Sequence, residues 1–280
     1  MDEIVIVDPE KLEKIKKNIS KSGVKKFHVI SDFDRTLTKA FAKGQKSPTV
    51  IAQIRNSNYL GEEYVKEAHR LFDLYRPIEI NPKLDNRFKR LKMHEWWKKH
   101  FELLCRCGIT RQLLQEIVAK KTLEFRAGSL EFIDYLHENN IPLLIMSAGP
   151  GDMIKMYLEQ EGRLYDNVHI IANFFKFNRN GKAIGLNDRI IHSLNKDEAS
   201  LKGTPIYDQV KNRKNVLLLG DSLEDIDMIK GFPYNNLIRI GYLNEDEENN
   251  LGAFRSVYDA VLLNDRGFDY INELVKEILR

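Results

Sequence analysis

One stretch constrains this chain more than any other: Phe27-His28-Val29-Ile30-Ser31, followed directly by Asp32-Phe33-Asp34-Arg35-Thr36-Leu37-Thr38. A short apolar run rich in β-branched and aromatic residues reads as a buried strand. The two carboxylates then fall at its C-terminal end, which is the edge where open α/β sheets bind ligands. Two neighbouring acids repel each other and are costly to place beside an apolar core. A cation or a charged substrate offsets that cost. Asp-x-Asp taken alone also suits a solvated turn, so the rest of the chain has to decide.

The 280 residues are 42% hydrophobic and 30% charged, the profile of a water-soluble globular chain with one large core or a core plus a smaller module. With 44 basic and 41 acidic residues the net charge is only +3, which argues against a dedicated binder of nucleic-acid polymers. The two cysteines, Cys105 and Cys107, are one residue apart, too close for an unstrained disulfide and too few for a zinc site. Met1 to Ser20 has no apolar signal core, and no apolar run approaches the roughly 20 residues that span a bilayer. A cytoplasmic protein without a membrane segment is expected, a monomer or weak oligomer.

Local patterns predict an amphipathic helix within residues 1–20, with Leu12, Ile15 and Ile19 on one face. Ala40 to Gln45 reads as a hinge loop. Val65, Ala68, Leu71, Phe72 and Tyr75 keep helical spacing. Arg87 to Leu104 carries Phe88, Leu91, Trp96, Trp97 and Phe101 among basic residues, and Arg111 to Lys121 is another short helix. Roughly 75 residues without a clear strand suggest a helical insertion. The division expected is 1–44 and 122–280 for an α/β core and 45–121 for the insertion. Beyond Thr122, helices are predicted from Ser129 (as N-cap) to Leu136, Asp152 to Gln160 and Phe268 to Leu279. Strands are predicted over Ile141 to Met146, His169 to Phe177, Val216 to Leu219, Leu237 to Tyr242 and Tyr258 to Leu263. Asn178-Arg179-Asn180-Gly181 is a turn signal. The alternation implies βαβ units and a mostly parallel sheet.

In such a sheet the C-terminal strand ends share one edge. The second predicted strand runs into Ser147-Ala148-Gly149-Pro150-Gly151-Asp152, which suits either a phosphate seat or a plain strand–helix turn. The third runs into Gly220-Asp221-Ser222-Leu223-Glu224-Asp225, which suits either a metal site or an acidic first helical turn. Together with Asp32 and Asp34 they gather carboxylates, a hydroxyl and backbone donors. That donor set fits a hard cation such as Mg²⁺, which favours phosphate oxygens. A lysine should offset the remaining phosphate charge. Lys176, Lys182, Lys196 and Lys202 are the candidates between the second and third sites.

Asp32-Phe33-Asp34-Arg35-Thr36-Leu37-Thr38, Ser147, Lys196 and Gly220-Asp221-x-x-x-Asp225 resemble the four motifs of the haloacid dehalogenase-like phosphatases. Ser147-Ala148-Gly149-x-Gly151-Asp152, Ile191-His192-x-x-Asn195-Lys196 and Ile240-Gly241-Tyr242-Leu243-Asn244 are similar to those of the cytosolic type III pyrimidine 5′-nucleotidase family, and Tyr75 to Pro82 resembles part of its cap. The resemblance runs from about Phe27 to the last helix. It implies a Rossmann-like core with an inserted helical cap, and Asp32 as a nucleophile that forms an aspartyl-phosphate. It further implies Asp34 as general acid and then base, and Ser147, Ala148 and Lys196 on the phosphoryl group. Mg²⁺ would be held by Asp32, Asp34 through its carbonyl and Asp221, with Asp225 close by.

By the same resemblance the cap supplies the nucleoside pocket: Glu79 accepts a hydrogen bond from the base, Trp97 stacks on it, and His100 stands near it. Ala40 and Ala42 replace larger residues beside the base, His100 replaces a small polar one, Glu224 replaces a smaller residue, and Pro150 sits within the Ser-Ala-Gly loop. The expected activity is Mg²⁺-dependent hydrolysis of nucleoside 5′-monophosphates, CMP and UMP first, with 7-methylguanosine monophosphate as a further substrate and phosphotransfer to a nucleoside as a side reaction. Hydrolysis of a small phosphomonoester such as phosphoserine, and a non-catalytic binder on the same fold, are the rival expectations.

Overall fold

The computed structural model describes residues 4–81, 83–197 and 201–280. Pro82, at the end of the cap-like segment, lies outside them. Elements run β1 (Ile4–Ile6), α1 (Pro9–Ser22), β2 (Phe27–Ser31), β3 (Phe41–Ala42), β4 (Gln45–Lys46), α2 (Val50–Asn56), α3 (Gly61–Ile80), α4 (Asn86–Arg106), α5 (Arg111–Ala119) and α6 (Ser129–Glu138). They continue β5 (Leu143–Pro150), α7 (Gly151–Gln160), β6 (Val168–Asn173), β7 (Phe175–Phe177), β8 (Ala183–Leu186), α8 (Pro205–Val210), β9 (Asn215–Gly220), β10 (Asn236–Tyr242), α9 (Glu247–Val257), β11 (Ala260–Leu262) and α10 (Asp269–Ile278).

Seven strands form the main sheet in the order β1-β11-β10-β9-β2-β5-β6. Only β1 is antiparallel to its neighbour. β2 lies inside the sheet between β9 and β5, and Ser31 is level with both Leu219 of β9 and Ile145 of β5. The Asp32 N–H extends the ladder by one bond to the Leu219 carbonyl, 3.0 Å away. Register alone therefore brings Asp32, Asp221 and Ser147 to one edge.

Period-two alternation along the buried strands splits the core into two apolar clusters. Val29, Leu143, Ile145, Leu217 and Leu219 belong to the first, with residues of α1, α6, α7 and α10. The same cluster continues without a break into Tyr64, Ala68, Met93 and Leu114 of the inserted helices. Ile30, Leu144, Met146, Val216 and Leu218 join the second, with Val210 of α8 and Phe254 of α9.

Four local expectations are corrected. The first residues do not begin as a helix: Ile4–Ile6 pairs with β11, and α1 starts only at Pro9, capped by Asp8, whose carboxylate accepts from Lys11 N–H. The Ala40 to Gln45 segment is not an open loop but a hairpin, closed by Lys43 and Gly44 at φ 52° and 75°. Its strands are too short to show alternation. The run His169 to Phe177 divides at Phe174 into β6 of the main sheet and β7, which pairs with β8 around the expected Asn178–Gly181 turn. Ser129 is the first helical residue of α6 rather than its cap; Gly128, at φ 81°, holds the cap position.

Candidate active site

The chain leaves β2 at Asp32 and turns sharply, with Arg35 in the left-handed region at φ 63°. That turn is fastened from below by Arg126, a fully buried side chain. Its Nη2 donates to the Arg35 carbonyl at 2.6 Å and to Asn244 Oδ1 at 2.7 Å, and its Nε donates to the Thr36 carbonyl at 2.9 Å. Its Nη1 pairs with Asp265, whose carboxylate also accepts from the N–H groups of Ala40 and Phe41. The Asp32–Thr38 turn and the entry to the hairpin thus share one buried cation. Nothing in the local sequence around Arg126 signals this role.

Asp32 is buried, and Lys196 Nζ donates to its Oδ1 at 2.6 Å. The same ammonium lies 2.6 Å from Asp225 Oδ1. Asp225 Oδ2 accepts from the N–H groups of Asp221 and Ser222, each at 3.0 Å, so this carboxylate braces the turn that presents Asp221. Gly220 is required there, because a Cβ would lie 2.4 Å from Asp225 Cβ. Lys196 itself is placed by a compact turn. Asn195 Oδ1 accepts from His192 N–H at 2.7 Å, and Asn173 brackets Ile191 through both its amide atoms.

Asp34 Oδ1 accepts from Val50 N–H, the first residue of α2, at 2.9 Å. The Ser147 loop packs tightly against the same residue: a Cβ on Gly149 would lie 2.3 Å from Val50 Cγ2. Gly149 N–H donates to Ser147 Oγ at 3.0 Å. Burial raises the Asp34 carboxyl to about 6 against the opposing bond from Val50. Asp221 is raised to about 7 by burial and then by the Asp225 charge, and Asp32 is raised well above the usual range by burial, with Lys196 pulling the other way.

These residues open into a cavity of about 630 Å³. Asp32, Asp34, Ser147, Ala148, Lys196 and Asp221 line it from the sheet edge, and Glu79, Trp96, Trp97 and His100 from the inserted helices. Asp225 does not line it, nor do Glu224 or Pro150. Ala40 and Ala42, expected beside the base, are not among the lining residues either. Ala40 is instead fully buried, with its N–H on Asp265.

Both tryptophans reach the cavity. Trp96 stacks on Tyr75 with centroids 5.9 Å apart, while Trp97 stacks on His100 at 6.4 Å. The indole N–H groups of both are buried without a partner. His100 Nε2 meets Tyr64 Oη at 3.2 Å, and burial, then the Arg55 charge, lowers its imidazole to about 4, so it is neutral near pH 7. Glu79 is held on both oxygens: Arg76 donates to Oε2 at 2.5 Å and Ser193 Oγ to Oε1 at 2.7 Å. Ser193, Arg55 and Ser47 also line the cavity and carry no motif of their own.

The donor set fits a hard divalent cation. Oxygens of Asp32, Asp221 and Asp225 lie within 4.8 Å of one another, and Lys196 supplies one positive charge against three carboxylates. Burial first, and then the charges of the neighbouring carboxylates, raise Asp32 and Asp221, and a cation held between them would oppose that rise.

A parallel sheet with acids, a hydroxyl and a lysine converging on one edge is the arrangement expected from the four haloacid dehalogenase-like motifs. The sequence model of the pyrimidine 5′-nucleotidase (UMPH-1) family matches residues 35–279. The chain is 36% identical over 276 residues to the 7-methylguanosine phosphate-specific 5′-nucleotidase A of Xenopus laevis, covering 98% of this chain and 95% of that one. It is 34% identical over 278 residues to the rat (Rattus norvegicus) 7-methylguanosine phosphate-specific 5′-nucleotidase, covering 99% and 93%. The crystal structure of cytosolic 5′-nucleotidase IIIB bound to cytidine superposes with a TM-score of 0.91 at 30% identity, covering 99% and 94%. A phosphoserine phosphohydrolase-like protein from Francisella tularensis, at 17% identity and TM-score 0.54 over 89% and 99%, shares the fold. The chain belongs to the pyrimidine 5′-nucleotidase family and is a 5′-nucleotidase, a phosphatase acting on a nucleotide. Among the described residues no helix is long and apolar enough to cross a membrane.

Proposed function

We propose that this 5′-nucleotidase is Mg²⁺-dependent, works through an aspartyl-phosphate on Asp32, and reads the base with a cap formed by residues 45–121. The observation that carries the proposal is the single cavity shared by Asp32, Asp34 and Lys196 with Trp97, His100 and Glu79. An Asp32 oxygen attacks phosphorus and the ribose 5′-oxygen leaves, taking a proton from Asp34. Asp34 then accepts a proton from the water that cleaves the aspartyl-phosphate. A carboxyl raised to about 6 can serve in both directions near neutrality. Lys196, Ser147 and the backbone at Ala148 hold the phosphoryl oxygens by position and charge. Asp32, the carbonyl of Asp34 and Asp221 would hold Mg²⁺, with Asp225 bracing Asp221. The ion supplies positive charge to the transferring phosphoryl group.

The proposed substrates are 7-methylguanosine monophosphate, CMP and UMP. Cytosine and 7-methylguanine both present an exocyclic amine whose N–H can donate to a carboxylate such as Glu79. 7-Methylguanine is also cationic, which favours the face of an indole. The names of the Xenopus and rat relatives support placing its nucleotide first. Phosphate release from 7-methylguanosine monophosphate, CMP, UMP, AMP and phosphoserine, with and without Mg²⁺, tests this. The first two are expected to lead and to require the metal; a preference for phosphoserine overturns the reading.

A further inference from the structure

We infer that Ser193 is a specificity-determining positioning residue, whose hydroxyl holds Glu79 from across the cavity and ties base reading to the turn that carries Lys196. The inference rests on Glu79 reading the base, as proposed above.

Glu79 is the penultimate residue of α3, where the carbonyl end of the helix dipole disfavours a carboxylate. Two donors offset this, Arg76 from the same helix and Ser193 from a segment 114 residues away. The Glu79 side chain is only 13% exposed, whereas Arg76 is 48% exposed. Ser193 is therefore the donor that water competes with least, and it fixes which way the carboxylate points. A hydroxyl that donates its proton keeps its lone pairs. Ser193 Oγ and Glu79 Oε1, 2.7 Å apart, thus present adjacent acceptor oxygens at the cavity wall.

The segment bearing Ser193 is not free to follow Glu79. Asn173 holds Ile191 at 2.8 and 2.9 Å, and Asn195 spans from His192 N–H to the Ile190 carbonyl. Lys196 leaves this same turn, three residues after Ser193, and reaches Asp32. Two contacts from α4 toward this edge are looser: His94 and His192 rings lie 6.3 Å apart, and Arg90 and Asp227 are 3.7 Å apart and well exposed. The Glu79–Ser193 bond is a short, direct link between the inserted helices and the turn that carries Lys196.

The test uses the full chain and the quotient of kcat/KM for CMP over kcat/KM for p-nitrophenyl phosphate, which has no base. Ser193→Ala is expected to lower this quotient about tenfold, mostly through KM for CMP, the size of one lost polar contact. Ser193→Thr, which keeps the hydroxyl, should restore most of it. In a double-mutant cycle, Ser193→Ala added to Glu79→Ala should lower it no further. An unchanged quotient in Ser193→Ala beside a fall in Glu79→Ala overturns this inference and leaves the base reader in place. Multiplicative losses in the double variant do the same. An unchanged quotient in Glu79→Ala overturns both.

Discussion

Lys196 Nζ lies 2.6 Å from Asp32 Oδ1, a buried bond between residues 164 positions apart in the chain. Both groups are almost wholly withdrawn from solvent, and Asp225 completes the cluster on the other side of the ammonium. Removing one partner of a buried ion pair leaves the other charge uncompensated, which costs about 3–5 kcal/mol. Lys196→Met is expected to lose that much stability in urea denaturation at pH 8 and at least ~100-fold in phosphate release, as for loss of one preorganised charge in a site of this kind. A variant as stable as the parent would show that the cluster contributes nothing net.

Asp221 lines the cavity, and Asp225 spends its carboxylate on the backbone of Asp221 and Ser222 and on Lys196. Asp221 is therefore the acid most available to a cation. Mg²⁺ at about 100 times its dissociation constant should stabilise the folded chain by about 2.7 kcal/mol, read as a rise of several degrees in Tm. Asp221→Asn should abolish the rise. An equal rise in the variant would place the metal elsewhere.

His100 gives a pH signature. Its folded value, lowered to about 4 by burial and the Arg55 charge, lies below the unfolded value of about 6.5. Between those values the unfolded chain binds more protons, so stability falls as pH drops from about 6.5 to 4 and levels off below. His100→Gln lacks this dependence. The stability difference between parent and His100→Gln should shift by about 1–2 kcal/mol against the parent from pH 7 to pH 5. A difference independent of pH would mean that His100 titrates normally.

Gly149 separates the Ser147 loop from Val50, whose N–H holds Asp34. The methyl of Gly149→Ala would overlap Val50 Cγ2 and push α2 away from Asp34. Overpacking of this kind costs about 1–3 kcal/mol. Turnover should fall at least tenfold, since misplacement of a reacting group by an ångström costs more than that. Retained turnover with lowered stability would show that the loop yields instead of the helix.

How much was legible depended on period and register. The strands around Val29, Ile145 and Leu217 have mostly apolar cores bounded by turn residues, so their places were readable, and with them the shared edge for Asp32, Ser147 and Asp221. The hairpin at Phe41–Lys46 and the strand Ile4–Ile6 were not, because two or three residues carry no period and are strands only by virtue of their partners. Ala40 and Ala42 were expected at the base; neither lines the cavity, and Ala40 is tied by its N–H to Asp265 instead. Arg126 gave no signal, since three of its partners are backbone carbonyls that any sequence supplies and the side chains it meets, Asn244 and Asp265, lie far along the chain.

The sequence by itself determined which acids, hydroxyl and glycines stand at the ends of parallel strands, because strand alternation and strand-to-turn boundaries are written in neighbouring residues. Tertiary structure alone decided that Lys196 reaches Asp32, that Asp225 faces backbone and lysine, and that Ser193 meets Glu79. Those contacts join segments without a common period, and a side-chain bond between them forms only where the packing of the helices against the sheet brings both groups within about 3 Å.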